Sequence, residues 1–158
     1  VSACLEINTT RDIAHQIVRH RSFSFQEFSQ RYANPQDMQD AFTYREPRLQ
    51  DTKNRQNSIE VQDTKLEMDW GHYQKKVIET SKQAYDWAIA NGIAKEQARV
   101  VLPEGLTKTR LYMNGTLRSW VHYIELRGAN GTQKEHMDIA HECAKVIAKV
   151  FPLVTNLT

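Results

Sequence analysis

Apolar residues in this chain change period several times, and strand-like and helix-like stretches do not alternate strictly. A few strands mixed in this way with long helices argue an α+β fold. Residues 2–8, SACLEIN, alternate partly and predict a short strand. Thr9 and Thr10 offer N-cap oxygens, Asp12 suits a first helical turn, and Ile13, Ala14, Ile17 and Val18 mark one face of a short helix ending near Arg21. Residues 27–32 have strand character. Residues 34–66 are polar and nearly aperiodic, and include Arg45, Arg48, Lys53 and Arg55 among turn formers. They read as either a solvated loop or a functional one, since loops this long are uncommon without a role.

A long helix is predicted from about Glu67 to Asn91. Trp70, Tyr73, Val77, Ala84, Trp87 and Ala88 recur at helical spacing and are expected in the core. Asn91-Gly92 supplies a left-handed stop. A short helix is expected from Ala94 to Val100, then a strand over 107–113, a turn at Asn114-Gly115, and a helix capped by Thr116 running to about Leu126. The last helix has the clearest start, because Thr132 to Glu135 fits a capping box. Met137, Ala140, Ala144, Ile147 and Phe151 form its expected buried stripe, and Pro152 ends it.

Bulk composition excludes some classes of function. The 158 residues carry a net charge of +2, from 21 basic and 19 acidic side chains, too balanced for nucleic-acid binding by bulk charge. No apolar run approaches a membrane span and no signal peptide is visible, so no membrane partner is expected and a cytoplasmic location is. In that setting the N-x-T sites at Asn8, Asn114, Asn130 and Asn156 read as chance sequons. HECAK at His141 to Lys145 begins like a zinc-protease motif but has Lys145 where the second histidine belongs, and no metal site is expected. Glycine-rich phosphate loops and a nucleophile elbow are missing, and neither Cys4 nor Cys143 has a convincing base nearby in sequence.

The stretch VRHRSFSFQEFSQRY, Val18 to Tyr32, concentrates hydrogen-bonding groups. Arg19, His20 and Arg21 near a helix C-terminus have an ordinary explanation, since cations are favoured there. Beyond them Glu27, Ser29 and Arg31 alternate, so an extended backbone points all three one way. An acceptor, a hydroxyl and a guanidinium on one face suit a ligand with donors, hydroxyls and a phosphate. In the second half Arg118 and His122 are four apart on one helix face, Arg127 leaves that helix, and Arg99 precedes an apolar run. Several arginines without a nucleophile point to an anionic, nucleotide-like ligand and to electrostatic stabilisation of developing negative charge.

Arg-His-Arg, seven residues, then Ser, as in RHRSFSFQEFS (Arg19 to Ser29), resembles the signature of the flavin-dependent thymidylate synthases (ThyX). LRSWVHYIELR (Leu117 to Arg127) resembles the family's second block and TQKEH (Thr132 to His136) its continuation, with wording closest to the algal-virus and phage branch. The resemblance implies a small, mostly antiparallel sheet packed with long helices, and one catalytic domain over residues 1–158. It implies methylation of dUMP to dTMP with methylenetetrahydrofolate and NADPH as co-substrates, FAD as hydride carrier and no cysteine nucleophile. It also implies a homotetramer with active sites between subunits. By residue, it assigns Arg19, His20, Arg21, Thr116, Leu117, Arg118 and His122 to the flavin, and Glu27 to the border of flavin and dUMP. Gln16, Arg19, Ser29, Arg31 and Arg99 fall to dUMP, and Arg127 to the uracil, where its charge favours ionisation of N3.

Three departures from the family pattern stand out. The family's N-terminal section, with further flavin-binding residues, is not in this sequence. Thr116 stands where many members have Asn, and Gly131 where many have His. The alternative implied by the first departure is a flavin- or nucleotide-binding protein without synthase activity. A rival of another class is a nucleic-acid-binding module built on Arg19 to Arg31 and the Arg45 to Arg55 loop.

Overall fold

A computed structural model of the chain describes residues 1–29, 40–54 and 58–152. Its largest sheet has three strands in the order β1 (Ser2–Thr10), β5 (Lys108–Thr116), β2 (Ser24–Glu27), all antiparallel. β1 and β5 pair along their full length, from Ser2 opposite Thr116 to Thr10 opposite Lys108. Leu5, Ile7, Leu111 and Met113 point from the two strands into the core, as period-two alternation requires. Against that face pack α1 (Arg11–Ile17), α4 (Leu117–Arg127) and α5 (Lys134–Ala148). Trp120 and Tyr123 of α4 are fully buried, and the Trp120 indole donates to the carbonyl of Ala3 at 3.0 Å. The α+β class and the small antiparallel sheet are as expected.

A second, smaller core joins α2 (Thr64–Ala90) to α3 (Lys95–Ala98) and the 3₁₀ turn Arg99–Val101, through Tyr85, Ala88, Ala98 and Leu102. Residues 41–45 tie it to the sheet. Lys108 N–H donates to Ala41 O, Thr43 N–H donates to Leu106 O, and the Gln74 side chain bonds both the N–H and the C=O of Arg45. A hairpin of β3 (Arg48–Gln50) and β4 (Ser58–Glu60) lies in the stretch read from sequence as an aperiodic loop. No described helix is long and apolar enough to cross a membrane.

Several local expectations change. Asn114-Gly115 is not a turn but the end of β5, and the chain passes directly into α4, where Thr116 accepts from Ser119 N–H. Gly115 is required there by contact, since a Cβ would lie 2.5 Å from the Phe23 ring. The second strand is Ser24–Glu27, Phe28 and Ser29 follow it outside any strand, residues 30–32 of the expected one lie outside the described residues, and α1 ends at Ile17. Thr10 sits at the N-cap of α1, but its hydroxyl bonds Asp12 and Arg45 instead of the backbone. The capping box does not form: Gln133 is the N-cap residue, and the Glu135 carboxylate is drawn off by arginines. The buried stripe of α5 is His136, Ala140, Cys143, Ala144 and Ile147, with Met137 only half-buried.

The expected core face of α2 is the largest correction. Trp70, Tyr73, Val77 and Trp87 are exposed, and only Gln74, Tyr85 and Ala88 are buried. The helix begins at an Asp63 cap and ends in a Schellman turn, with Gly92 at φ +78° and Ile93 N–H on Ala88 O. Among the described residues it meets other elements mainly at its C-terminal end, and its aromatic stripe is left exposed. Gly115→Ala is expected to destabilise the fold by about 1–3 kcal/mol through overpacking against Phe23, measured as a lower urea midpoint.

Candidate functional site

Local sequence sets where the site's parts end up. α1 stops after Ile17, and the chain turns through Arg19 to Arg21 with His20 N–H on Ile17 O. α4 stops at Arg127, capped by Gly128. These two ends meet, and Arg127 Nε–H donates to His20 Nε2 at 2.9 Å across 107 residues of sequence. Around the pair stand the Tyr123 ring, 4.9 Å from His20, and His136, 6.3 Å from it. Burial, reinforced by the charges of Arg127 and His122, holds His20 below its ordinary range, so His20 accepts as a neutral ring. Arg127 is thereby oriented but not neutralised.

Arg19 and Arg21 flank His20 in sequence, His122 lies near it on α4, and Arg118 stands at the opposite end of α4 from Arg127; all four are exposed, with no carboxylate partner among the described residues. Leu117 is half-buried against the core, and Thr116 serves the α4 cap. Gln16 reaches inward, donating to Gln133 Oε1 at 2.8 Å and facing His136 Nδ1 across 3.3 Å. Glu27 closes β2 on another side, accepting from Thr109 Oγ1 at 2.9 Å and lying 3.5 Å from Arg11. The expected common face of Glu27, Ser29 and Arg31 cannot be followed past the strand: β2 ends at Glu27, Ser29 lies beyond it, and Arg31 is outside the described residues. Arg99 is not brought to the others. It sits in the 3₁₀ turn beside α2 and α3, its Nε–H on Glu96 O.

Sequence reasoning missed a partly buried polar layer beneath these residues. Glu135 accepts from Arg48 at 2.6 Å and lies 3.6 Å from Arg45 Nε, while Arg45 forks onto Asp12 at 2.7 and 3.1 Å. Burial alone raises the Glu135 carboxyl, but the Arg48 bond and the charges of Arg48 and Arg45 hold it below the usual carboxylate range. His136 is fully buried, and its Nε2 is 2.9 Å from the Tyr123 hydroxyl. Burial, with the Arg127 charge, pushes His136 down to about 4. One signal for it lay in the α5 pattern: a stripe read from His136 rather than Met137 includes it with Ala140, Cys143 and Ile147. Burial pushes the Cys143 thiol up to about 12, which suits packing rather than nucleophilic work.

A cavity of about 920 Å³ is lined by Thr10, Phe28, Arg45, Thr109 and Glu135 among others, but by none of Arg19, His20, Arg21, Arg118 or His122. Arg19, Arg21, Arg118 and His122 are exposed in the single chain.

The family model "Thymidylate synthase complementing protein" matches residues 1–153. The chain is 47% identical over 152 residues to a probable flavin-dependent thymidylate synthase of Paramecium bursaria Chlorella virus 1, covering 96% of this chain and 68% of that protein. It is 50% identical over 154 residues to the flavin-dependent thymidylate synthase of Synechocystis, covering 98% of this chain and 69% of that protein. In fold it matches the crystal structure of a UMP/dUMP methylase, PolB, from Streptomyces cacaoi bound with 5-Br dUMP, with a TM-score of 0.85 at 23% identity over 99% of this chain and 70% of that one.

His136 gives the fold a pH signature. Between about pH 6.5 and about 4 the unfolded chain binds a proton that the folded chain does not. Stability is therefore complete above that window and falls as pH is lowered through it. Asp12, Glu46 and Glu135, all held below their usual range, begin to lose their contributions near the ordinary values of 3.8 for Asp and 4.5 for Glu, so they add to the fall only at the acid end of this window. Urea midpoints of His136→Gln are expected to fall less steeply than those of wild type through this window. Parallel curves would mean that His136 does not stay neutral in the fold.

Proposed function

Because the chain belongs to the thymidylate synthase complementing protein family, we propose that it is a flavin-dependent thymidylate synthase, converting dUMP to dTMP. One observation carries the reading on this chain's own residues. Arg127, a cation with no carboxylate partner among the described residues, is held by neutral His20 at the meeting point of the two family blocks. An uncompensated guanidinium beside an acidic N–H stabilises its anion. Placed at uracil N3, Arg127 favours loss of that proton and polarises the ring for attack without a cysteine nucleophile.

The fit to FAD rests on charge. Arg19, Arg21 and Arg118 are exposed cations without carboxylate partners among the described residues, a donor set matched to a dinucleotide's diphosphate. With His20, Thr116, Leu117, His122 and Glu27 they are the residues that would hold the flavin, which when bound supplies hydride-carrying chemistry between NADPH, methylenetetrahydrofolate and the nucleotide. Gln16, Arg19, Glu27, Ser29, Arg31 and Arg99 are proposed to hold dUMP, alongside Arg127. Arg99 lies apart from the rest within the chain, and the flavin-side cations are open to solvent. Both facts support a homotetramer in which another subunit completes each site. The exposed stripe of Trp70, Tyr73, Val77 and Trp87 on α2 supplies an apolar face for such an assembly.

Formation of dTMP from dUMP with methylenetetrahydrofolate, NADPH and FAD tests the reading. Flavin and dUMP binding without dTMP would favour a binding protein lacking synthase activity. In an active preparation, Arg127→Ala is expected to lower turnover at least about a hundredfold with flavin content unchanged, read by tritium release from labelled dUMP. The double substitution Tyr73→Glu and Trp87→Glu is expected to shift the sedimenting species to a smaller mass. Unchanged mass would remove the α2 stripe from the interface.

A further inference from the structure

Five side chains beneath the proposed nucleotide site form one continuous hydrogen-bonded series. Tyr123 Oη lies 2.9 Å from His136 Nε2, and His136 Nδ1 lies 3.3 Å from Gln16 Oε1. Gln16 Nε2 is 2.8 Å from Gln133 Oε1, and Gln133 Nε2 is 3.1 Å from Glu135 Oε2. Four of the five are amphoteric: a hydroxyl, a neutral imidazole and two amides can each be turned either way. Glu135 is not, because an ionised carboxylate only accepts, and it is held ionised by Arg48 at 2.6 Å with Arg45 nearby.

That single acceptor-only end sets every other member. Gln133 must turn its NH₂ toward Glu135, which leaves its carbonyl for Gln16. Gln16 must then give its NH₂ to Gln133 and its carbonyl to His136. His136 must carry its proton on Nδ1, so Nε2 is an acceptor and the Tyr123 hydroxyl donates. We infer that Glu135, Gln133, His136 and Tyr123 are positioning residues that lock the Gln16 amide in one orientation, its carbonyl engaged inside and its second N–H left for a ligand acceptor oxygen. Resting on the proposed function, that acceptor is an oxygen of the nucleotide, either a uracil carbonyl or a phosphate.

The polarity is read directly on the wild-type protein, without a variant that could fail to fold. Nitrogen-15 NMR of the His136 ring is expected to show the Nδ1–H tautomer; an Nε2–H tautomer would overturn the inference. Glu135→Gln, which keeps the shape but can also donate, is expected to give a mixture of the two tautomers. An unchanged Nδ1–H tautomer there would remove Glu135 from control of the series. The ligand arm compares dUMP with deoxyuridine, which lacks the phosphate. Gln16→Met is expected to weaken dUMP binding up to about tenfold at unchanged flavin content. If the loss persists with deoxyuridine the acceptor is a uracil carbonyl, and if it vanishes the acceptor is a phosphate oxygen. Unchanged dUMP affinity in Gln16→Met would overturn the ligand-facing role. Should wild type bind neither nucleotide, the functional reading fails, while the tautomer still decides the polarity.

Discussion

The full-length antiparallel pairing of Ser2–Thr10 with Lys108–Thr116 decides where everything else can go. Each strand runs without a loop into a helix, β1 into α1 at Thr10 and β5 into α4 at Thr116. Antiparallel strands of equal length send those helices off opposite ends of the sheet, and both must cover the same apolar face of Leu5, Ile7, Leu111 and Met113. Their far ends therefore converge, which puts His20 against Arg127 although a hundred residues of chain separate them. A one-residue slip would turn those apolar side chains to the other face and break the junction.

Beneath that junction the interior is polar in an ordered way. Glu135, Arg48, Arg45 and Asp12 compensate one another, and the hairpin of β3 and β4 is fastened to the start of α5 by the Arg48 to Glu135 pair and by Lys134 to Glu46 and Glu60. Partly buried charges of this kind contribute less to net stability than their distances imply, because desolvation offsets attraction. What they do contribute is direction. The one ionised end, Glu135, allows one orientation for the amides and the imidazole in series with it, so the groups near the proposed ligand are presented in one hydrogen-bonding state.

On the outside the same chain leaves two things unpaired. Arginines 19, 21 and 118 have no carboxylate partner among the described residues, and the aromatic stripe of α2 is exposed. Uncompensated charge and exposed aromatic surface carry opposite demands, one for an anion and the other for a dry contact. The proposed assembly, with cofactor and nucleotide held between copies, would meet both.

Sequence by itself determined the α+β class, the long central helix with its Gly92 stop, the Thr116 cap and the family, the last because the Arg19 to Ser29 and Leu117 to Arg127 blocks are contiguous and specific. Helical and strand periods, caps and stops are local properties, legible from neighbours in the chain. Tertiary structure decided the rest. Gly115 reads as half of a turn until Phe23 is seen above it, and Glu135 reads as half of a capping box until Arg45 and Arg48 arrive from the segment that looked aperiodic. An apolar stripe says only that something must cover it, and among the described residues nothing buries Trp70, Tyr73, Val77 and Trp87. His136 is the converse, a polar residue on a buried stripe. Its partners Tyr123 and Gln16 lie 13 and 120 residues away, and only the packing of α1, α4 and α5 supplies the hydrogen bonds that let it be buried.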